Sequence, residues 1–271
     1  MYIYKLIHNN KTSYLIPTAH YNINLLFTKD EIQQLNDIIK NIDNYAFEAN
    51  IQKDTLSKKD KIPIKDVYSQ EDIEKISMEF NKVFKTNITN KDIENKNIMT
   101  LIPGPGIGGI CCDKNEIMDS YINILAKKEK KPIIYLDEGK DYKKLIKDME
   151  VMVKMMREHM SKNPLKLPVI KKHISLTKKA IISYKKVFDK STGKQNKKTK
   201  KGKKNNSSHN DKEQMLDNRN KIWADKIAKV INSDKSIAVF VGANHIDTNL
   251  SNNIVELLNK NYNIVFNKVK Y

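Results

Sequence analysis

The chain has 271 residues, a length that suits one large domain or one domain with insertions. Its formal net charge is +18, nearly all of it from lysine, and 39% of its residues are hydrophobic, enough for a substantial core. No apolar run approaches membrane-spanning length, and the start of the chain lacks the features of a secretion signal. The two cysteines, Cys111 and Cys112, are adjacent and exclude a disulfide framework. We therefore expect a cytoplasmic protein with reduced thiols.

A hairpin is predicted at the start of the chain. Residues Tyr2 to Ile7 and Ser13 to Ile16 are rich in strand formers, and Asn9-Asn10 supplies the turn between them. Pro17 cannot donate a ladder hydrogen bond, so we expect the second strand to end there. His20 then lies in the loop that leaves this strand.

A helix and a third strand follow the hairpin. Residues Thr28 to Glu31 form a capping box, and an apolar face with helical spacing continues behind it. Tyr45 to Phe47 is interpreted as a short strand that ends in Glu48. If the strands on either side of the helix are parallel, His20 and Glu48 lie at the same edge of the sheet.

The middle of the chain is predicted to be largely helical. Its expected elements are a helix after Ser69, a helix over Ile117 to Leu125, a strand over Pro132 to Leu136, a helix from about Lys140 and a helix over Ile174 to Val187. The glycine-rich stretch Ile102 to Gly109 lacks the Lys-Ser/Thr of a phosphate-binding loop, so we interpret it as a flexible turn. The helix from Lys140 carries a methionine stripe, and we favour core packing over a partner-binding face for it.

Residues 190–212 differ from the rest of the chain in composition. They consist mainly of Lys, Asn, Ser, Gly and Thr, with almost no apolar side chain. Such a segment cannot bury enough surface to offset the entropy of ordering, so a disordered insertion is predicted. It could bind polyanions, although it has no aromatic residue on which bases could stack.

The helix expected over Lys212 to Asn232 has an apolar stripe that Arg219 interrupts. A charge at a core-facing position needs a carboxylate or a substrate group as its partner, unless the arginine is exposed at the helix start. Asn220 lies on the same side of this helix. We expect Arg219 to reach a carboxylate, with Glu48 the favoured partner, or to hold substrate.

A buried strand over Ile237 to Val241 comes next, and Gly242 permits a sharp turn out of it. His245 is thereby presented just beyond the carboxyl end of the strand, where open α/β sheets bind ligands. A helix over Asn249 to Leu258 and a strand over Asn263 to Phe266 complete the pattern.

Together these elements predict an α/β fold with a mixed central sheet flanked by helices, a largely helical middle region and a disordered Lys-rich insertion. We expect a single domain over residues 1–271, with the insertion at 190–212.

Three residues with metal-binding or acid–base side chains follow predicted strands: His20, Glu48 and His245. Two neutral imidazoles and a carboxylate form a metal site that leaves positions open for water and substrate. Arg219 could stabilise the oxyanion that develops during hydrolysis. Each residue alone is weak evidence, because a single histidine is more often structural than a ligand.

Four motifs also resemble the TraB/GumN/TIKI family. They are Pro17-Thr-Ala-His20, Glu48 after the next strand, Arg219-Asn220 with Trp223, and Gly242-Ala-Asn-His245. The resemblance covers the first fifty or so and the last sixty or so residues well, and the middle only loosely, through Asp119 and Leu136-Asp137.

The resemblance implies a fold of the erythromycin-esterase/ChaN-like kind and a divalent-metal-dependent peptidase activity. It implies His20, Glu48 and His245 as metal ligands, Glu48 also as a catalytic residue, and Mn or Co as the metal, with Zn the alternative. We add Arg219 and Asn220 as candidate catalytic residues. The first motif departs from the family pattern, because Pro17 stands where the family has glycine.

Three functions follow as hypotheses. The leading one is a metal-dependent hydrolase acting on a peptide or another small substrate, with no membrane partner and no nucleic acid. The second is an inactive binding or regulatory protein that keeps the fold, which the Pro17 departure would favour. The third is a polyanion-binding protein acting through the Lys-rich insertion.

Overall fold

In the computed structural model, the described part of the chain comprises residues 1–49, 61–103, 107, 110, 116–137, 140–189, 208–246 and 252–270. Six strands there form one mixed sheet in the order β4-β3-β5-β2-β1-β6. They are β1 (Tyr2–His8), β2 (Lys11–Thr18), β3 (Asn44–Phe47), β4 (Ile133–Tyr135), β5 (Ile237–Gly242) and β6 (Asn267–Lys270).

Helices pack on both faces of this sheet, which confirms the predicted α/β class. The helices of the described part are α1 (Ile23–Leu26), α2 (Lys29–Asn41), α3 (Gln70–Phe84), α4 (Asn90–Glu94), α5 (Met118–Lys128), α6 (Lys140–Lys162), α7 (Leu167–Asp189), α8 (Ser208–Asn232) and α9 (Ile254–Tyr262). Within the same ranges, no helix is long and apolar enough to cross a membrane.

The four strands β4, β3, β5 and β2 run parallel, and β1 is antiparallel to both of its neighbours. In the parallel register, Phe47 lies opposite Phe240 and Tyr135, and Thr18 lies opposite Gly242. The carboxyl ends of the four strands therefore meet at one edge of the sheet, which is called the carboxyl edge below.

Apolar side chains fill both sides of the sheet. On one side, α2 and α5 pack on residues such as Ile16 and Phe240. On the other side, α8 and α9 pack on residues such as Leu15 and Val239, with Trp223 fully buried among them. A third apolar cluster joins α3 and α4 to the ends of α6 and α7, away from the sheet. The alternation along β2 and β5 thus decides which helices cover each face.

The predicted hairpin is confirmed, with Asn9 and Asn10 at φ values of 46° and 60° in the turn. The expected strand end at Pro17 is wrong, because β2 continues to Thr18 and Pro17 pairs with Val241 of β5. The pairing of β2 with β1 already stops at Leu15. Pro17 lies beyond this pairing. It keeps an extended backbone within β2, and the strand lacks only the N–H donor that a proline does not have.

The last predicted strand is also placed wrongly. Asn263 ends α9 with a left-handed backbone (φ 56°), and the N–H of Ile264 returns to the carbonyl of Leu258. Residues 263–266 therefore form the turn after the helix, and the strand begins at Asn267. Ile264 and Phe266 are buried in the core, but they lie before β6 and do not pair in the sheet.

Helix α8 begins at Ser208, inside the segment predicted to be disordered. A helix can continue into a polar segment because its backbone hydrogen bonds need no apolar side chains. The lack of apolar residues therefore did not identify the residue at which α8 begins. The remainder of the predicted insertion, residues 190–207, lies outside the described residues. So do Cys111, Cys112 and all four glycines of the glycine-rich stretch.

The methionine stripe of α6 does not pack in the core, contrary to our expectation. Met152, Met155 and Met156 are 53%, 65% and 39% exposed, and only Met160 near the end of the helix is buried among the described methionines of α6. Arg157 and Met160 are buried near the end of this helix, which contacts the 3-10 turn Ile98–Leu101. Sequence periodicity identifies an apolar face but does not determine what covers it.

Candidate functional site

The three predicted metal ligands lie at the carboxyl edge of the sheet. His20 follows the end of β2 by two residues, and Glu48 directly follows β3. His245 closes a 3-10 turn, Ala243–His245, that begins directly after β5. Since β2, β3 and β5 are parallel, the prediction that these residues share one edge is confirmed.

Arg219 of α8 forms its main ion pair with Asp137, which follows β4. Its Nη2 lies 2.6 Å from Asp137 Oδ2, and its Nε lies 3.3 Å from Asp137 Oδ1. The same Nη2 lies 3.4 Å from Glu48 Oε2. Arg219 therefore reaches a carboxylate as expected, but Asp137 is the closer partner and Glu48 the second one. This two-point contact with Asp137 fixes the plane of the guanidinium group.

Trp223 supports this pair one helical turn after Arg219. Its indole Nε1 donates a hydrogen bond of 2.8 Å to Asp137 Oδ1, and its side chain is fully buried. The guanidinium carbon of Arg219 lies 4.6 Å from the centre of the indole ring. Asp137 is thus held between two donors from the same helix, and the arginine also gains a cation–π contact.

Glu48 connects the arginine to the exit of β5. Its Oε1 accepts a short hydrogen bond from the backbone N–H of Gly242, while its Oε2 faces Arg219. A Cβ atom at position 242 would lie 3.0 Å from Glu48 Oε1, closer than most side-chain contacts, so glycine favours this close approach. Burial raises the pKa of the Glu48 carboxyl, against the opposing effects of the Gly242 N–H and the Arg219 charge.

His245 is held in one tautomer by Asn220. Its Nδ1 lies 2.6 Å from Asn220 Oδ1, and Asn220 Nδ2 donates to the carbonyl of Asn252 at 3.0 Å. The carbonyl partner fixes the orientation of the amide, so the oxygen of Asn220 must accept the Nδ1 proton. In the neutral ring, Nε2 then carries the lone pair. Asn220 is fully buried, which makes this arrangement rigid.

The surroundings of His245 keep its ring neutral. The side chain is 4% exposed and lies 4.2 Å from the indole of Trp223, measured between ring centres. Burial and the nearby Arg219 charge lower the pKa of His245 to about 3. The ring is therefore an uncharged base at neutral pH.

His20 has the opposite environment. Its Nδ1 lies 2.7 Å from Asp119 Oδ2, in the first turn of α5, and its side chain is 63% exposed. The hydrogen bond to Asp119, together with the negative charges of Asp119 and Glu48, outweighs desolvation and raises the pKa of His20 to about 9. His20 is thus an imidazolium near neutral pH, paired with a carboxylate.

The three donors are not gathered around one point. Among the described residues, no group of three or more His, Cys, Asp and Glu side chains is close enough to hold a metal ion. Their chemistry nevertheless fits a divalent metal, because Nδ1 of His245 is hydrogen-bonded to Asn220 and Nδ1 of His20 lies 2.7 Å from Asp119, which leaves Nε2 of each ring as the nitrogen for coordination. His20 must lose its proton before it could serve as a ligand.

Sequence reasoning did not assign a role to Asp137, Asp119 or Asn252. Asp137 carried a usable signal, because it follows a predicted apolar strand in the same way as Glu48. Asp119 entered only through the loose family match and Asn252 carried no signal, since their contacts with His20 and Asn220 depend on how α5 and the turn before α9 pack at the carboxyl edge.

These features define an α/β protein with a polar site of two histidines, two clamped carboxylates and an arginine at the carboxyl edge of its parallel strands. The chain belongs to the TraB/PrgY/gumN family, whose model matches residues 2–264 of the 271. This confirms the resemblance that the four motifs indicated. No curated protein and no solved structure matches the chain.

Proposed function

We propose that the protein is a divalent-metal-dependent hydrolase that acts on a peptide or another small substrate. The observation that carries the proposal is the state of His245, a buried neutral imidazole whose Nδ1 is bonded to Asn220 and whose Nε2 carries the lone pair. Such oxygen-anchored imidazoles are typical of histidines that bind metals. His20 with Asp119 repeats the arrangement at the neighbouring strand exit.

The residues that would hold the metal are His20, Glu48 and His245. When bound, such an ion activates water and polarises a carbonyl group. A nitrogen and oxygen donor set of this kind suits Mn, Co or Zn, with Mn or Co implied by the sequence resemblance.

The other residues of the site position these groups. Asn220 keeps His245 in the tautomer that directs Nε2 away from the amide. Asp137 and Trp223 hold Arg219, whose Nε and Nη2 are bonded to carboxylates. We assign to Nη1 of Arg219 the role of donating to negative charge that develops on the substrate, since a fixed donor needs no reorganisation during the reaction.

Metal content and peptide cleavage test this proposal. The purified protein is loaded with Mn, Co or Zn, its bound metal is quantified, and cleavage of a peptide library is followed with and without chelator. His245→Gln should lose both metal and cleavage, and His8→Gln, which changes an exposed histidine of β1, serves as the matched control. Stoichiometric metal in His245→Gln, or cleavage that chelator does not affect, would contradict the proposal.

A second candidate is a binding protein without catalysis. One observation favours it: both oxygens of Glu48 are engaged, by the Gly242 N–H and by Arg219, as expected of a structural carboxylate. This candidate predicts saturable peptide binding with no cleavage under any metal condition. The third candidate, polyanion binding through residues 190–212, concerns a segment mostly outside the described residues and stays a prediction.

A further inference from the structure

Helix α7 contains a seven-residue repeat of lysine pairs. The pairs are Lys171-Lys172, Lys178-Lys179 and Lys185-Lys186, and no acidic residue occurs between Leu167 and Phe188. Seven residues are close to two helical turns, so each lysine lies about 10 Å along the axis from its counterpart in the next pair. The helix therefore carries two nearly parallel rows of positive charge.

The lysine rows face outward because the opposite side of α7 is docked. Ile170, Ile174, Thr177 and Ile181 are buried, and α7 packs against α3. Lys178 is partly buried and donates to the carbonyl of Val83 at 2.6 Å. The other five lysines of the repeat are exposed: Lys171, Lys172, Lys179, Lys185 and Lys186. The fold thus presents a basic helical face in which five of the six lysines of the repeat are exposed.

Apolar side chains are exposed among these lysines. Val169, Leu176 and Ile182 are 38%, 43% and 43% exposed, although other apolar residues of the same helix are buried. Helix α6, which precedes α7 by a short connection, adds an exposed apolar face of its own, comprising Val151, Met152, Met155 and Met156. Exposed apolar residues beside lysines are typical of a surface that enters a lipid interface.

We propose that the exposed face of α7 is a peripheral binding surface for membranes that contain anionic lipids. The lysines pair with acidic headgroups, and Val169, Leu176 and Ile182 enter the boundary between headgroups and acyl chains. The sequence-based expectation of no membrane partner rested on the absence of a spanning segment, which a peripheral surface does not need.

A nucleic acid is the less favoured partner for this face. Exposed valine, leucine and isoleucine side chains gain nothing against a phosphate backbone, whereas they gain burial in a lipid interface. Base stacking would need exposed aromatic rings. Tyr184, which directly precedes the third lysine pair, is instead packed against Tyr21, with 5.5 Å between ring centres.

Vesicle binding by the full-length protein tests the proposal. The probes are vesicles of phosphatidylcholine alone and vesicles of equal parts phosphatidylcholine and phosphatidylserine, with sedimentation as the readout. We expect binding to the anionic vesicles only. Replacing the five exposed lysines of the repeat by Gln should lower the partition coefficient by roughly 100-fold or more. Leu176→Ser with Ile182→Ser should weaken binding while leaving the net charge unchanged.

A matched variant separates position from total charge. Five exposed lysines elsewhere, Lys29, Lys65, Lys91, Lys229 and Lys260, are replaced by Gln, which removes the same charge from other surfaces. This control should bind anionic vesicles nearly as well as the unmodified protein. Equal losses in the two variants, or unchanged binding in the α7 variant, would overturn the proposal. Binding to duplex DNA that needs the α7 lysines, with no vesicle binding, would assign the face to nucleic acid instead. Circular dichroism verifies that each variant is folded.

Discussion

Glu48 Oε1 lies only 3.0 Å from the point where a side chain at Gly242 would begin, and it accepts the backbone N–H of the same residue. The exit of β5 is therefore built around a carboxylate from the neighbouring strand. The glycine has an ordinary φ of −53°, so the requirement for it is one of space and not of backbone conformation.

Gly242→Ala should displace Glu48. The added methyl group meets Oε1 of Glu48, a carboxylate whose Oε2 is held by Arg219, so we expect a loss of about 1–3 kcal/mol of unfolding free energy, measured by urea denaturation. In a Glu48→Ala background the same substitution should cost much less, because its obstacle is gone. Equal costs in the two backgrounds would show that the alanine collides with something other than Glu48.

Asn220→Ala should release the tautomer of His245. The buried Nδ1–H would lose its acceptor, at a cost of about 1–3 kcal/mol. Imidazole nitrogen chemical shifts should change from a single Nδ1–H form to a mixture of tautomers. Asn259→Ala, at an exposed position of α9, should leave both stability and the His245 shifts unchanged. A single unchanged tautomer in Asn220→Ala would mean that another group fixes the ring.

The two site histidines should titrate at opposite ends of the pH range. In metal-free protein, His20 should titrate near pH 9 and His245 near pH 3, measured by nuclear magnetic resonance. Since the pKa of His20 is raised, its contribution to stability is present in full below pH 6.5 and is lost as the pH rises through 9. The pKa of His245 is lowered, so its neutral form contributes stability above pH 6.5, and that contribution is lost as the pH falls toward 3.

Asp119→Asn provides the control for this titration. Without the carboxylate, the midpoint of His20 should fall toward the ordinary histidine value, and His245 should not respond. A His20 midpoint that stays near 9 in Asp119→Asn would show that Glu48 or another group holds the proton.

Arg219→Met keeps the length of the side chain and removes its charge. Asp137 has only 11% of its side chain exposed and Glu48 has 27%, so both would lose their cation in a largely buried place. We expect a loss of about 2–4 kcal/mol of unfolding free energy, somewhat below the cost of breaking a fully buried pair. Adding Asp137→Asn should restore part of the stability, since the unpaired charge is then removed.

Activity distinguishes a structural arginine from one that also acts on substrate. If Arg219 only pairs with carboxylates, the stabilised double variant should regain cleavage along with stability. If Arg219 also donates to substrate, the double variant should stay inactive at temperatures where it is fully folded. If Arg219→Met alone is both fully stable and fully active, both roles are excluded.

The sequence by itself determined the elements that build the site. Short apolar runs that end at Gly242, at Glu48 or just before His20 specify strands and their exits, because the period of the side chains and the turn residues act locally. Arg219 was identified in the same way, as a charge within an apolar stripe. The parallel arrangement of the strands entered only as a condition, and the structure supplied it through the parallel pairing of β2 and β3 with β5.

Only the tertiary structure decided the partners. Asp137 is the closer partner of Arg219 because β4 lies at the sheet edge beside β3. Arg219 and Trp223, which both donate to Asp137, come from a helix more than eighty residues later in the chain. Asp119 reaches His20 through the packing of α5. The methionines of α6 and the lysine rows of α7 show the same limit, since a periodic pattern defines a face but not what lies against it. Local periodicity fixes which way a side chain points from its own backbone, whereas its neighbours depend on contacts between residues far apart in sequence.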